Sequence, residues 1–442
     1  MNYSLDDLAY WDEKIWDLAI NKYKLDPYPI EYEAIDYYEM IGAMAHHGMP
    51  SMYNHWSFGK SFERTHHMYN LGQEGLPYEL IINSNPSIAY LMRENPLPLQ
   101  VLIMAHCVGH SDFFKNNRMF KNTRPETVIH RMRAAKKRIQ SYVEDPTIGI
   151  DEVEKVIDAC HAVQFQTTKN GARRRSQEEV RAELLEELKK AKEMNDRTRQ
   201  SKLSLKLETV PLESDYDLLG FISENAKLPD WKKDIIEVIR EEGQYFWPQI
   251  QTKIGNEGFA STIHYKICHD LELSSELHLP IIKSHNQVIR PHIGGINPYH
   301  LGFHMFAHIE KKYGWEECLI AREACHDGSF IRQYLDQELC EELNLFSYSK
   351  KQNKSLVIDD VADQEGWENI RNELATSVGG GSIPVIYAEE VRKNGELILH
   401  HEHDGRDLDI DQAKNVVSHI VTLWDNGVRL LAKINGTFTS ID

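Results

Sequence analysis

The chain has 442 residues, 41% apolar and 27% charged, with a formal net charge of -18, which gives two domains or three and argues against a surface built for nucleic acid or an anionic membrane. No apolar run approaches the roughly 20 residues of a membrane helix, so membrane insertion is not expected. Six scattered cysteines without a C-x-x-C pair, and an N-terminus lacking a basic-then-apolar leader, point to a reducing, cytoplasmic setting.

In chain order, Ser4 to Lys24 reads as an amphipathic helix, with Ser4 as N-cap and Leu8, Trp11, Ile15, Trp16 and Leu18 as its apolar stripe. A second helix is predicted from about Glu31 to His47, stopped by Gly48 and Pro50. The following HHGMPSMYNHWSFGKSFERTHHMYN has no clean period and reads as a loop lining a pocket. YELIINSNPSIAYLMRENP starts as a strand, turns at Asn83 to Pro86 and reads as helix thereafter. Pro125 to Val163 is helical. Lys169 to Leu207 is polar with many opposed charges at i,i+4, a solvated helix or an excursion over about 165–210. Trp231 to Leu273 is again helical, Ser284 to Gly295 is loop-like, and Pro298–Tyr313 and Trp315–Cys325 are predicted helices. From Phe346 on, SLVIDD, IPVIYAEEV, ELILHHEHD and VRLLAKI alternate as strands, with helices at Trp367–Ala375 and Ile410–Leu423, an order near β-α-β-β-α-β. The expected fold is α+β: a mainly helical body over 1–340 and a small α+β domain over 345–442.

The chemistry concentrates in the apolar run from Leu99 to Asn117, where His106 and His110 stand four apart. On a helix both imidazoles share one face and together can hold a metal ion. The zinc-peptidase pattern is H-E-x-x-H, whose Glu is the general base, and here Cys107 occupies that position. In NEGFASTIHYKICHD, Glu257, Ser261, His264 and Cys268 share a second helical face. Glu257 is therefore the expected third ligand of a zinc-type site, and His264 a further ligand or a supporting donor. Glu63, Asp112 and His55 are the candidates for base or proton donor, with His67 beside them. A rival face carries His300, His304 and His308, and HHEHD at 400–404 could take up surface metal.

Beyond spacing, the tracts MIGAMAHHGMPSMYNHWSFGKSFE, YELIINSNPSIAYLMRENPLPLQ, AHCVGHSDFFKNN, YFWPQIQTKIGNEGFAS and NPYHLG resemble the SpoVR family, stage V sporulation protein R, along nearly the whole chain. The residues that resemble its shared tracts are His55, Trp56, Lys60, His106, His110, Asn116, Asn117, Glu257 and Asn297; His304 and His308 fall outside the pattern. EGFAS is also similar to the EGWA segment of certain zinc peptidases, whose Glu is the third ligand, with Phe259 where Trp is usual. The resemblance implies a gluzincin-like (zincin-type) metal-site core, a Zn2+ cofactor, and a role in spore cortex (peptidoglycan) formation or stress response. It also implies a PrkA-like serine kinase and a von Willebrand A-type protein as partners. Two functions follow as expectations: hydrolysis of a peptide or cell-wall precursor, or a non-catalytic regulator or scaffold beside the kinase. A redox role for Cys107 is a third.

Overall fold

The computed structural model describes residues 3–71, 79–167, 174–292, 295–350, 356–364 and 366–442. The first residues of the charged segment and Ser355 of the SLVIDD strand fall outside these. The fold is mainly helical with small sheets, an α+β chain. It forms two compact units, each assembled from two stretches of sequence: 1–136 with 247–382, and 137–246 with 383–442. No helix among the described residues is long and apolar enough to cross a membrane.

The first unit is organised around Leu97–Asn116, the His106 helix. Its 20 residues are buried from Gln100 through Phe114, so it is enclosed on every side, as a helix at the centre of a core is. Lys253–Asp270, the Glu257 helix, is nearly as buried and packs against the His106 helix on one side and Pro298–Tyr313, the Tyr299 helix, on the other. Glycines allow both approaches. A Cβ on Gly109 would stand 2.7 Å from Ala260 Cα, and one on Gly258 would stand 2.3 Å from Gly302 Cα. The N-terminus of the Glu257 helix is capped from elsewhere: buried Asp327 accepts from the backbone N–H groups of Ile254 and Gly255, each at 2.9 Å, while the hydroxyl of its own N-cap Thr252 donates back to the Pro248 carbonyl instead of capping the helix. Leu5–Asp17 has Ser4 as its N-cap, as expected, in a capping box with Asp7.

A three-stranded sheet flanks these helices in the order Ile30–Ile35, Ser87–Met92, Glu79–Ile82, parallel for the first pair and antiparallel for the second. This corrects two predicted helices. Residues 30–35 form a strand before a shorter helix, Tyr37–Ala45, and SIAYLM continues as a strand, its Ala89, Tyr90 and Leu91 buried. SIAYLM is a short apolar run, for which period alone does not separate helix from strand, and the short alternation of IEYEAI precedes a true helix. The aromatic His-rich stretch is likewise not all loop: Trp56–Asn70 is a helix capped by His55. Ser284 to Val288 closes the helix Ser275–Val288 rather than opening a loop.

The C-terminal region runs β-β-α-β-β-α-β-β, with one strand more at each end than the predicted order. Phe346–Lys350 and Leu356–Val361 pair within the first unit. The second unit holds a four-stranded sheet, Ile386–Val391, Leu397–His401, Val428–Ile434 and Thr437–Ile441 in spatial order, whose central pair is parallel and is bridged by the crossover helix Ile410–Trp424. Val428, Leu430, Ala432 and Ile434 alternate inward, and Trp424 stacks on Phe221 at 5.8 Å. The charged segment forms two helices, Gln177–Glu193 and Arg197–Lys206, joined by a small seam of Val180, Leu184, Ala191, Leu203 and Leu212. The apolar positions among its charges are what fold it.

Candidate metal centre

His106 and His110 lie on the same face of their helix, ring centroids 4.5 Å apart, and Glu257 enters from the neighbouring helix. Its Oε2 is 3.3 Å from His110 Nε2 and 3.8 Å from His106 Nε2. A second carboxylate arrives from the sheet: Glu79 Oε1 is 3.7 Å from His106 Nε2. Among the described residues, Glu79, His106 and His110 form the group of three whose ligand atoms lie within 4.8 Å of one another. The pairing of Glu257 with the two histidines follows the sequence reasoning. Glu79 was missed, its sole signal being an acidic residue that opens the apolar strand run ELII.

The donor set fits a metal ion. Around an ion with bonds of about 2.1 Å, the edges of a tetrahedron are roughly 3.4 Å long, and the spacings of 3.3, 3.7 and 3.8 Å bracket that value. His106 Nε2 and Glu257 Oε2 are buried without a hydrogen-bond partner, although buried polar atoms are ordinarily satisfied. His110 Nδ1 lies 2.9 Å from Asn256 Oδ1. An amide oxygen only accepts, so Nδ1 carries the proton and the Nε2 lone pair faces Glu257. A proton or a cation has to stand between them.

The electrostatics agree. Burial works against charge on Glu257, but His110 and His106 outweigh it and hold its carboxyl far below the usual range. Burial likewise opposes protonation of His110, and Glu257, Asn256 and Glu79 together overcome it and raise its pKa. Glu79 is raised, because burial outweighs the two imidazoles. Tyr299, a second residue the sequence reasoning did not single out, stacks on His106 at 6.2 Å. Burial and the Glu257 and Glu79 carboxylates push its phenol well up.

His264 stands behind this group, with Nδ1 2.8 Å from His106 Nδ1 and Nε2 2.7 Å from His285 Nδ1. With both ring nitrogens engaged it supports His106, the second of the two positions expected for it. Asp112 is fully buried and paired with Arg322 at 3.1 Å, and it accepts the Asp26 backbone N–H at 2.7 Å; it is not in the metal group. Glu63 is exposed on Trp56–Asn70, and His55 Nδ1 is 2.7 Å from Ser57 Oγ at that helix's N-cap. Neither belongs to the group. Cys107 is buried in the apolar core, where burial pushes its thiol well up, contrary to the low-pKa environment of a reactive cysteine. Of the rival face, His308 pairs with Asp336 at 2.9 Å and His300 bonds the Ile289 carbonyl at 2.9 Å.

Comparison with known proteins extends over both units. No solved structure matches the chain. The chain is 33% identical over 462 aligned positions to the uncharacterized protein YcgB of Escherichia coli strain K12, covering 94% of this chain and 89% of YcgB. The family model described as SpoVR like protein matches residues 2–383, and that described as SpoVR-like C-terminal domain matches residues 384–434. Matches that follow one another from residue 2 to residue 434 make this chain a member of the SpoVR family.

Proposed function

We propose that the chain is a metal-dependent hydrolase acting on a peptide or cell-wall precursor, with a zinc-like ion held by His106, His110 and Glu257 in a gluzincin-like arrangement. The observation that carries this reading is the convergence of these side chains at tetrahedral-edge spacing around unpartnered Nε2 and Oε2 atoms. A divalent ion bound there supplies Lewis-acid polarisation of a carbonyl and lowers the pKa of water. The chain's own residues do the rest. Glu79, raised by burial toward the range useful for a general base, takes the proton that position 107 cannot, and Tyr299 stands as hydrogen-bond donor to the oxygen that becomes charged.

A second reading uses the same Glu79. As a fourth ligand it closes the shell, and a closed shell marks a structural metal, in keeping with a regulator or scaffold working beside a PrkA-like serine kinase. Metal content by plasma mass spectrometry on tag-free protein tests both. One equivalent in the wild type, lost in His106→Ala, His110→Ala and Glu257→Ala but kept in Glu79→Gln, supports the open catalytic site and directs a hydrolase screen. Loss in Glu79→Gln as well supports the structural ion. A folded wild type that takes up no metal overturns the hydrolase and the structural ion alike, and leaves a regulator or scaffold without a metal.

A further inference from the structure

Three buried imidazoles form a continuous chain: His106 Nδ1 to His264 Nδ1 at 2.8 Å, then His264 Nε2 to His285 Nδ1 at 2.7 Å. His285 is wedged between the rings of Tyr265 and Phe303, each with its centroid 4.9 Å away. It lines a partly open cavity of about 150 Å³ with His264, Cys268, His269 and Asn286. Its Nδ1 is taken, so Nε2 is the atom left to face that cavity. We infer that His264 and His285 are positioning residues whose shared hydrogen bonds aim His106 Nε2 at the metal, and that filling the centre sets the direction of the whole chain, leaving an N–H donor on His285 in the cavity.

Proton counting gives the direction. Three neutral imidazoles carry three protons on six nitrogens, and each of the two nitrogen–nitrogen bonds holds one. The third sits either on His106 Nε2, among the carboxylates, or on His285 Nε2, in the cavity. An ion on His106 Nε2 excludes the first arrangement. One proton then leaves at the metal side, each shared proton crosses its bond, and one is taken up at His285 Nε2, with no imidazole changing charge. His264 and His285 are both buried, and burial disfavours charge on either ring. The inference rests on the metal reading above. It goes beyond it by linking the centre to the cavity that His264 and His285 line.

The test uses the full chain and Zn2+ alone. Affinity is read by competition with a chromogenic chelator, and ring tautomers by long-range proton–nitrogen spectra of 15N-histidine protein, with His285 assigned by its loss in His285→Gln. Addition of one equivalent should move His285 to the Nε2–H pattern. His264→Phe should bind Zn2+ about 10–100-fold more weakly and abolish that move. His264→Gln, which accepts and donates at the same two points, should recover most of the affinity. Should His264→Phe fail to fold, His285→Phe breaks the chain at its outer end, and weaker Zn2+ binding is read there. A wild type that takes up no Zn2+ overturns the metal reading and this one with it. Uptake in the wild type with affinity unchanged in the broken chains, or with affinity lost while the His285 tautomer stays fixed, overturns the relay alone.

Discussion

Placing a methyl group at Gly109 tests whether helix spacing assembles the metal centre. The residue lies between His106 and His110, and an added Cβ would stand 2.7 Å from Ala260 Cα, 3.2 Å from Ile263 Cβ and 3.3 Å from Ala260 Cβ. Non-bonded carbons settle at about 3.5 Å or more, so Gly109→Ala drives the Glu257 helix away by roughly 0.8 Å. The atom met first is backbone and cannot swing aside. Metal sites tolerate about 0.2 Å in bond length, so the separation takes Glu257 out of register with both histidines. Overpacking costs about 1–3 kcal/mol, offset by about 1 kcal/mol of gained helix propensity, so the fold survives while Zn2+ affinity drops at least ~10-fold, the scale of disturbed metal surroundings. The control is Gly42→Ala, in the helix Tyr37–Ala45, where an added Cβ meets nothing within 4 Å and only the propensity gain remains. Both variants go through chelator competition and thermal melts with and without Zn2+. Wild-type affinity in Gly109→Ala would show that the close approach of the two helices does not build the centre.

Four further outcomes follow from the same geometry. Asp327→Ala leaves the Ile254 and Gly255 N–H groups buried and unpaired and should lower metal-free stability by about 2–3 kcal/mol in urea melts; a loss under 0.5 kcal/mol contradicts the capping role. Asp112→Ala strands the buried Arg322 guanidinium and should lower stability by about 3–5 kcal/mol while a folded fraction keeps its metal, whereas a ligand would lose it. The pH dependence of melting should reverse with metal. Stability from the lowered Glu257 pKa is present above its ordinary 4.5 and is lost as pH falls through the folded value, and that from the raised His110 pKa is complete below its ordinary 6.5 and is lost as pH rises through the folded value. Metal-free protein is therefore most stable between about 4.5 and 6.5, while Zn2+, which needs neutral imidazoles, stabilises increasingly above 6.5; parallel curves with and without Zn2+ would count against the His110–Glu257 pair. Finally, Cys107→Glu should be strongly destabilising and partly relieved by Glu79→Gln, with a coupling of at least ~1 kcal/mol in a double-mutant cycle.

The features legible in the sequence are those that rest on local spacing. Four-residue steps place His106 with His110 and Glu257 with Ser261, and a short apolar helix face lets the two sets meet; the capped helices at Ser4 and Pro298 follow from one residue each. Long-range relations left no such mark. Glu79 reaches the centre because its strand is an edge of a sheet whose other strands are residues 87–92, beside it, and 30–35 beyond, two segments whose short patterns read as helix. Asp327 caps a helix more than 70 residues earlier in the chain, and the bond needs tertiary packing to exist. Asp112 looked available as a base by its proximity to His110 in sequence, but two residues along a helix turn a side chain about 200°, and it meets Arg322 instead.

The same turn accounts for position 107. One residue beyond His106 the side chain enters the core, and the Cys107 thiol is raised by burial first and by the charge of Glu79 second. In the proposed hydrolase, the carboxylate that H-E-x-x-H peptidases carry on the helix comes instead from the strand that bears Glu79, with the buried Cys107 thiol close enough to feel its charge. A Glu at 107 would bring a further carboxylate toward Glu79, where burial already holds Glu79 toward its neutral form and like charges cannot all ionise. On this reading the departure from the peptidase pattern is a relocation of the base. Cys107 and Glu79 are one device, and replacing either alone damages the centre more than exchanging the two together.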